Sequence, residues 1–182
     1  MKMIIGGALG RMGRELAKAA NEAGVEVVCG VDVAYREQTM DFPMVTDYRQ
    51  AKQAADVLID FSNANALTNL LALAVNVGMP LVLCTTGYTE EEITAIAEAA
   101  KLIPILRSAN MSLGINVMQQ LVAMAARVLG DGYDVEIIEK HHRQKLDSPS
   151  GTALMLYDAV KATRTNEPTA VYGRCGRSAK RA

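Results

Sequence analysis

The sequence predicts an α/β protein built on a doubly wound parallel sheet, and three observations carry that prediction. Short β-rich apolar runs recur through the first hundred residues, and stretches with helical spacing lie between most of them. The first run ends in closely spaced glycines that open a helix. The runs are continuously apolar rather than alternating, as expected of parallel strands covered on both faces.

Taken in order, strands are predicted at residues 3–6, 25–31, 57–61, 81–84 and 103–106. Helical spacing of apolar residues occupies 11–23, 64–77 and 90–100. Residues 35–48 read as a loop, with one weak helix near 49–55. The pattern changes at Ser112, which divides the chain into domains at 1–112 and 113–182. Beyond it, residues 113–129 form an amphipathic helix with Val117, Met118, Leu121, Val122, Ala125, Val128 and Leu129 on one side. A strand at 134–139 and a helix over 152–162 follow, giving the second domain a smaller α+β character.

Composition narrows the function classes. Half of the 182 residues are apolar and 21% are charged, which is globular composition. Nineteen Lys and Arg against 20 Asp and Glu give no net field for nucleic acid or an anionic membrane. Arg174, Arg177, Lys180 and Arg181 read as a solvated basic end. Cys29, Cys84 and Cys175 are odd in number and form no CxxC pair, so neither a disulfide framework nor a cysteine metal site is expected. The apolar start is too short for a signal peptide, and no window is read as long enough for a membrane span. Together these point to a cytoplasmic protein.

The glycine loop is the first motif with chemistry. MIIGGALGRMG runs from a strand through Gly7, Gly10 and Gly13 into a helix. Amides at a helix start, at its positive dipole end, hold a pyrophosphate when no side chain stands in the way. Asp32 follows Gly13 by nineteen residues at the end of the second strand, where a carboxylate bonds the adenosine ribose. The first domain therefore reads as a Rossmann-like dinucleotide-binding domain. A carboxylate at Asp32 repels a ribose 2′-phosphate and favours NADH, while Arg11 and Arg36 can offset that repulsion and leave NADPH open.

The second motif is EKHHRQKLDSPSGTAL, which holds the only two histidines. His141 and His142 end the predicted strand, with Lys145 close behind and Ser150, Gly151 and Thr152 opening a helix. The segment offers cations, a group that titrates near neutral pH, and an anion-binding helix end. That set suits a small doubly anionic substrate. A zinc site lacks an acidic or third nitrogen ligand at suitable spacing.

These two segments closely resemble the dihydrodipicolinate reductase family, as do IDFSNANA, LVLCTTGY and SANMSLGINVM between them. By that resemblance Gly7, Ala8, Leu9, Gly10, Arg11 and Met12 form the cofactor loop, with Asp32 at the ribose. It puts Cys84, Thr85 and Thr86 on the nicotinamide side, and Ser108, Ala109, Asn110 and Met111 at the hinge. It makes His141 the proton donor and Lys145 a second acid and substrate contact. His142, Ser150, Gly151 and Thr152 would hold substrate carboxylates.

The implied reaction is NADH- or NADPH-dependent reduction of 4-hydroxy-tetrahydrodipicolinate in lysine and diaminopimelate biosynthesis. The implied assembly is a homotetramer, with relatives running on past Ala182 to supply further strands of the second domain. Two other classes are compatible with parts of the sequence: a nucleotide-binding module or redox sensor without catalysis, and another oxidoreductase on an amino-acid-like imine or aldehyde.

Overall fold

The computed structural model describes residues 1–37, 40–143, 145 and 148–173. The expected basic end and Cys175 lie outside these residues. The chain forms two compact units, Met1–Ala109 and Asn110–Ala182.

The first unit is a six-stranded, wholly parallel sheet in the order β3-β2-β1-β4-β5-β6. Its strands are β1 (Lys2–Gly6), β2 (Glu26–Val31), β3 (Met44–Val45), β4 (Val57–Asp60), β5 (Leu81–Leu83) and β6 (Ile105–Arg107). Helices α1 (Arg11–Glu22), α2 (Leu67–Val77) and α3 (Glu90–Ala99) connect them. Side chains alternate across a strand, and β1 shows how this splits the core. Ile4 packs with Leu58, Leu70, Leu81 and Ile96 on one face. Met3 and Ile5 pack with Ala20 and the partly buried Leu16 and Ala17 of α1 on the other. Helices on both faces make the sheet doubly wound, as its unbroken apolar runs imply.

Local signals fix the helix ends. A capping box starts α3: the Glu92 amide donates to Thr89 Oγ1 at 3.2 Å, and the Thr89 amide donates to Glu92 Oε2 at 2.8 Å. Gly78, left-handed at φ 67°, ends α2.

The chain departs from the expected element list in three places. Near 49–55 there is only the short turn Tyr48–Gln50, started by Asp47 accepting from the Arg49 amide at 2.8 Å. Two residues of the expected loop form β3, held to β2 when the Gly30 amide donates to the Pro43 carbonyl at 2.8 Å.

In the second unit, α4 (Leu113–Leu129) and α5 (Gly151–Lys161) pack against each other. Residues 134–139 form no strand, and Val135, Ile137 and Ile138 are exposed. Strand propensity yields a strand only where a neighbour completes the ladder, and none of the described residues does so.

The apolar side of α4 is largely uncovered. Val117, Met118, Leu121, Val128 and Leu129 are exposed, and only Ala126 of the helix is buried. Contrary to the membrane expectation, Leu113–Gly132 reaches 20 residues at mean hydropathy 1.2, enough to span by length and composition. Asn116, Gln119, Gln120 and Arg127 interrupt that run.

One close approach is critical in the first unit. A side chain on Gly13 would place its Cβ 2.7 Å from the Ala8 Cα, backbone that cannot step aside. Gly13→Ala is therefore expected to destabilise by about 1–3 kcal/mol, read as a lowered urea midpoint. An unchanged midpoint would show that the loop yields.

Candidate functional site

The carboxyl ends of the strands carry the first unit's functional groups. Crossovers leave β1 toward β2 and leave β4 toward β5, so the loops after β1 and β4 diverge at the sheet's switch point. Gly7 leaves β1 at φ +70°, and its amide donates to the Val31 carbonyl at 2.8 Å. A Cβ there would lie 2.6 Å from the Phe61 carbonyl oxygen, so only glycine fits.

The loop then turns through Gly10, which starts α1 without a side-chain cap. The first-turn amides of α1 are thus left for an anion. Asp32 clasps the same loop: the Leu9 amide donates to its Oδ2 at 3.0 Å, and the Ala34 amide to its Oδ1 at 2.9 Å. Each carboxylate oxygen thereby keeps acceptor capacity for a ribose hydroxyl. Arg14, a residue sequence reasoning passed over, clamps the loop as its Nε donates to the Leu9 carbonyl at 3.0 Å. Arg11 and Met12 are exposed at the helix start. Arg36 turns its guanidinium back onto the Val33 and Tyr35 carbonyls, at 2.9 and 2.7 Å.

A cleft of about 520 Å³ opens after β4 and β5, lined by Ser62, Asn63, Asn65, Cys84, Thr85 and Thr86 among others. Behind the lining residues Ser62 and Thr85 is Asp60, only 1% exposed, which both of them bond. The hydroxyls of Tyr48 and Ser62 donate to Asp60 Oδ1, each at 2.6 Å, and the Ser62 amide joins them at 3.2 Å. Thr85 Oγ1 donates to Oδ2 at 2.7 Å.

This buried carboxylate shapes its neighbours. The Tyr48 phenol is raised well above the ordinary range, by burial first and then by the Asp60 charge. Tyr88 is pushed up to about 12 by burial and then Asp60. The Cys84 thiol is pushed up to about 11 by the same two causes in the same order. Cys84 is therefore a neutral thiol near pH 7 and a poor nucleophile. Cys84, Thr85 and Thr86, which the family resemblance puts on the nicotinamide side, line this cleft, while Asp60 and Tyr48 were not among the residues read from the sequence. At the strand after it, the Ser108 amide donates to the Leu83 carbonyl at 3.0 Å, and Ala109 is exposed.

The second unit gathers part of the histidine segment. Ser150 caps α5, its Oγ accepting from the Ala153 amide at 3.1 Å. Its own amide donates to Glu139 Oε1 at 2.9 Å, so both polar groups of this buried serine are engaged within the chain. Glu139 Oε2 is buried without a hydrogen bond and faces His141 Nδ1 at 3.7 Å, an electrostatic pairing. The Ser150 bonds chiefly hold the Glu139 carboxyl below its ordinary range, with smaller help from His141 and Lys145.

Asn110 Nδ2 donates to Thr152 Oγ1 at 2.9 Å, while Asn110 Oδ1 accepts from the Ser112 amide at 2.9 Å. Met111 is exposed, as are His141 and His142, and the Lys145 amide donates to the His142 carbonyl at 3.2 Å. Among the described residues no group of three or more His, Cys, Asp or Glu could hold a metal ion.

Both units match models of one family: "Dihydrodipicolinate reductase, N-terminus" over residues 1–111, and "Dihydrodipicolinate reductase, C-terminus" over 114–181. The chain belongs to the dihydrodipicolinate reductase family. It is 48% identical over its whole length to a 4-hydroxy-tetrahydrodipicolinate reductase of Caldanaerobacter subterraneus subsp. tengcongensis, spanning 71% of that protein. It is 41% identical over 98% of its length to the enzyme of the same name from Clostridium tetani, spanning 70% of it. A similar fold is seen in the dipicolinate-bound dihydrodipicolinate reductase from Paenisporosarcina sp. TG-14. That structure has a TM-score of 0.72 at 24% identity, covering 98% of this chain and 71% of that one.

Membership in this reductase family implies a pyridine nucleotide cofactor, and the residues present fit one. The uncapped start of α1, the space left by Gly7, Gly10 and Gly13, and the unsaturated Asp32 carboxylate are the features such a group requires.

The Glu139 geometry has a pH signature. A carboxyl depressed on folding contributes stability that is present above its unfolded pKa and is lost as pH falls through its folded pKa. In urea unfolding, the stability gap between the wild type and Glu139→Gln should be open at pH 7 and close progressively below about pH 4.3. A gap independent of pH would contradict the role given to this carboxylate.

Proposed function

We propose that this chain is an NADH- or NADPH-dependent reductase of 4-hydroxy-tetrahydrodipicolinate, acting in lysine and diaminopimelate biosynthesis in the cytoplasm. The observation that carries the reading is the family match, which runs through both units of the chain. The first unit would hold the dinucleotide through Gly7, Ala8, Leu9, Gly10, Arg11 and Met12, with Asp32 at the adenosine ribose. Cys84, Thr85 and Thr86 would meet the nicotinamide end, and Ser108, Ala109, Asn110 and Met111 would complete the contacts. Assembly as a homotetramer belongs to the same reading and rests on the family alone.

When bound, the cofactor supplies a hydride. The substrate exchanges its hydroxyl for that hydrogen, and the hydroxyl leaves as water with one proton, so the chain's task is to hold a dianion and deliver a proton. We assign the proton to His141, whose Nδ1 lies 3.7 Å from the Glu139 carboxylate. Lys145 would supply a second acid and a charge for a substrate carboxylate. His142 and the α5 start at Ser150, Gly151 and Thr152 would hold the carboxylates. Because the Ser150 amide and hydroxyl are engaged within the chain, the anion would meet mainly the Gly151 and Thr152 end of that turn.

Asp32 favours NADH, since a 2′-phosphate would meet its carboxylate. Arg36 spends guanidinium bonds on two backbone carbonyls, which weakens its case as a phosphate partner. The test is oxidation of NADH and of NADPH, followed by loss of near-ultraviolet absorbance, with substrate generated in situ by dihydrodipicolinate synthase. Turnover with a preference for NADH is expected, and Lys145→Ala should lower kcat/KM about a hundredfold or more. A fully active Lys145→Ala protein, or no turnover with either nucleotide, would overturn the reading.

A further inference from the structure

The Asp60 cluster carries a consequence for what the cleft can recognise. Three hydroxyls and one amide converge on a single buried carboxylate, and an ionised carboxylate only accepts hydrogen bonds. Each hydroxyl has one proton to give. Ser62 and Thr85 give theirs to Asp60, so toward the cleft they line they can present only lone pairs. The Tyr48 hydroxyl likewise gives its one proton to Asp60, at 2.6 Å. The arrangement is built into the sheet, because any Cβ at Gly6 would collide with the Tyr48 hydroxyl and the Asp60 carboxylate.

We infer that Asp60 is a positioning residue that fixes Ser62 and Thr85 as acceptor-only groups, so that the cleft takes a neutral N–H donor and rejects a carboxylate. Given the proposed reading, in which this cleft receives the nicotinamide end, the donor is the ring's carboxamide. The site then selects the nicotinamide dinucleotide over its nicotinic-acid counterpart, which places an anion against lone pairs. Selection follows from proton direction rather than shape, since the two ligands are nearly isosteric.

The test is calorimetric binding of NADH, deamido-NADH and ADP-ribose to the full chain and to two variants. For the wild type, NADH should bind roughly ten- to a hundredfold tighter than deamido-NADH. In Asp60→Asn the new side-chain amide donates to a neighbouring hydroxyl, which frees that hydroxyl's proton to turn outward. The preference should then fall toward unity while ADP-ribose affinity is unchanged. Should Asp60→Asn fail to fold, Thr85→Val leaves Asp60 with Tyr48 and Ser62 and removes one acceptor. Its NADH affinity should fall while its deamido-NADH affinity does not.

A wild-type preference that survives in the folded variants overturns the inference and leaves the cleft's assignment standing. Wild-type NADH binding no tighter than ADP-ribose would show that the ring end gains nothing from this cleft, and both would fail.

Discussion

The arrangement of the first unit depends on burying one carboxylate where β1 and β4 run side by side. Asp60 pairs in register with Gly6, is only 1% exposed, and sits between the loops that diverge from the sheet. A buried charge of this kind is tolerable only when donors satisfy it. Here those donors are drawn from three separate segments, the turn at Tyr48, the loop at Ser62 and the loop at Thr85. Satisfying the charge therefore ties three loops to one point, and the cleft is what remains between them. Burial first, and this charge second, lift Cys84 and Tyr88, keeping both neutral beside a site proposed to hold a cofactor.

Gly7, Gly10 and Gly13 could be read directly, because close backbone approach demands the absence of a side chain and leaves glycine in the sequence. Asp32 followed from its spacing. Asp60 did not, since one acid closing the run VLID looks like an ordinary solvated strand end. The clue was available only in combination: a glycine at the matching end of β1 and hydroxyl residues just after both β4 and β5. β3 was invisible for a different reason, as two residues of pairing leave no period to detect.

The second unit shows where sequence pattern stops informing. An apolar stripe along α4 is real, yet periodicity reports a stripe and says nothing of what lies over it. The β-branched residues near Val135 favour a strand, while strand formation is decided by a neighbouring backbone. The histidine segment was singled out for its polar chemistry, and local bonding refines that reading. Ser150 serves the start of α5 and Glu139, and Glu139 is the added member that couples the helix start to His141.

The central claim is that the glycine loop and the Asp60 cleft receive the two ends of one dinucleotide across the switch point of the sheet. A nitrogen–proton correlation spectrum recorded through an NADH titration tests it most directly. The amides of Gly7, Gly10 and Asp32 should shift together with those of Ser62, Thr85 and Thr86, all following a single dissociation constant. Shifts confined to the glycine loop, or two groups of residues saturating at different concentrations, would contradict it.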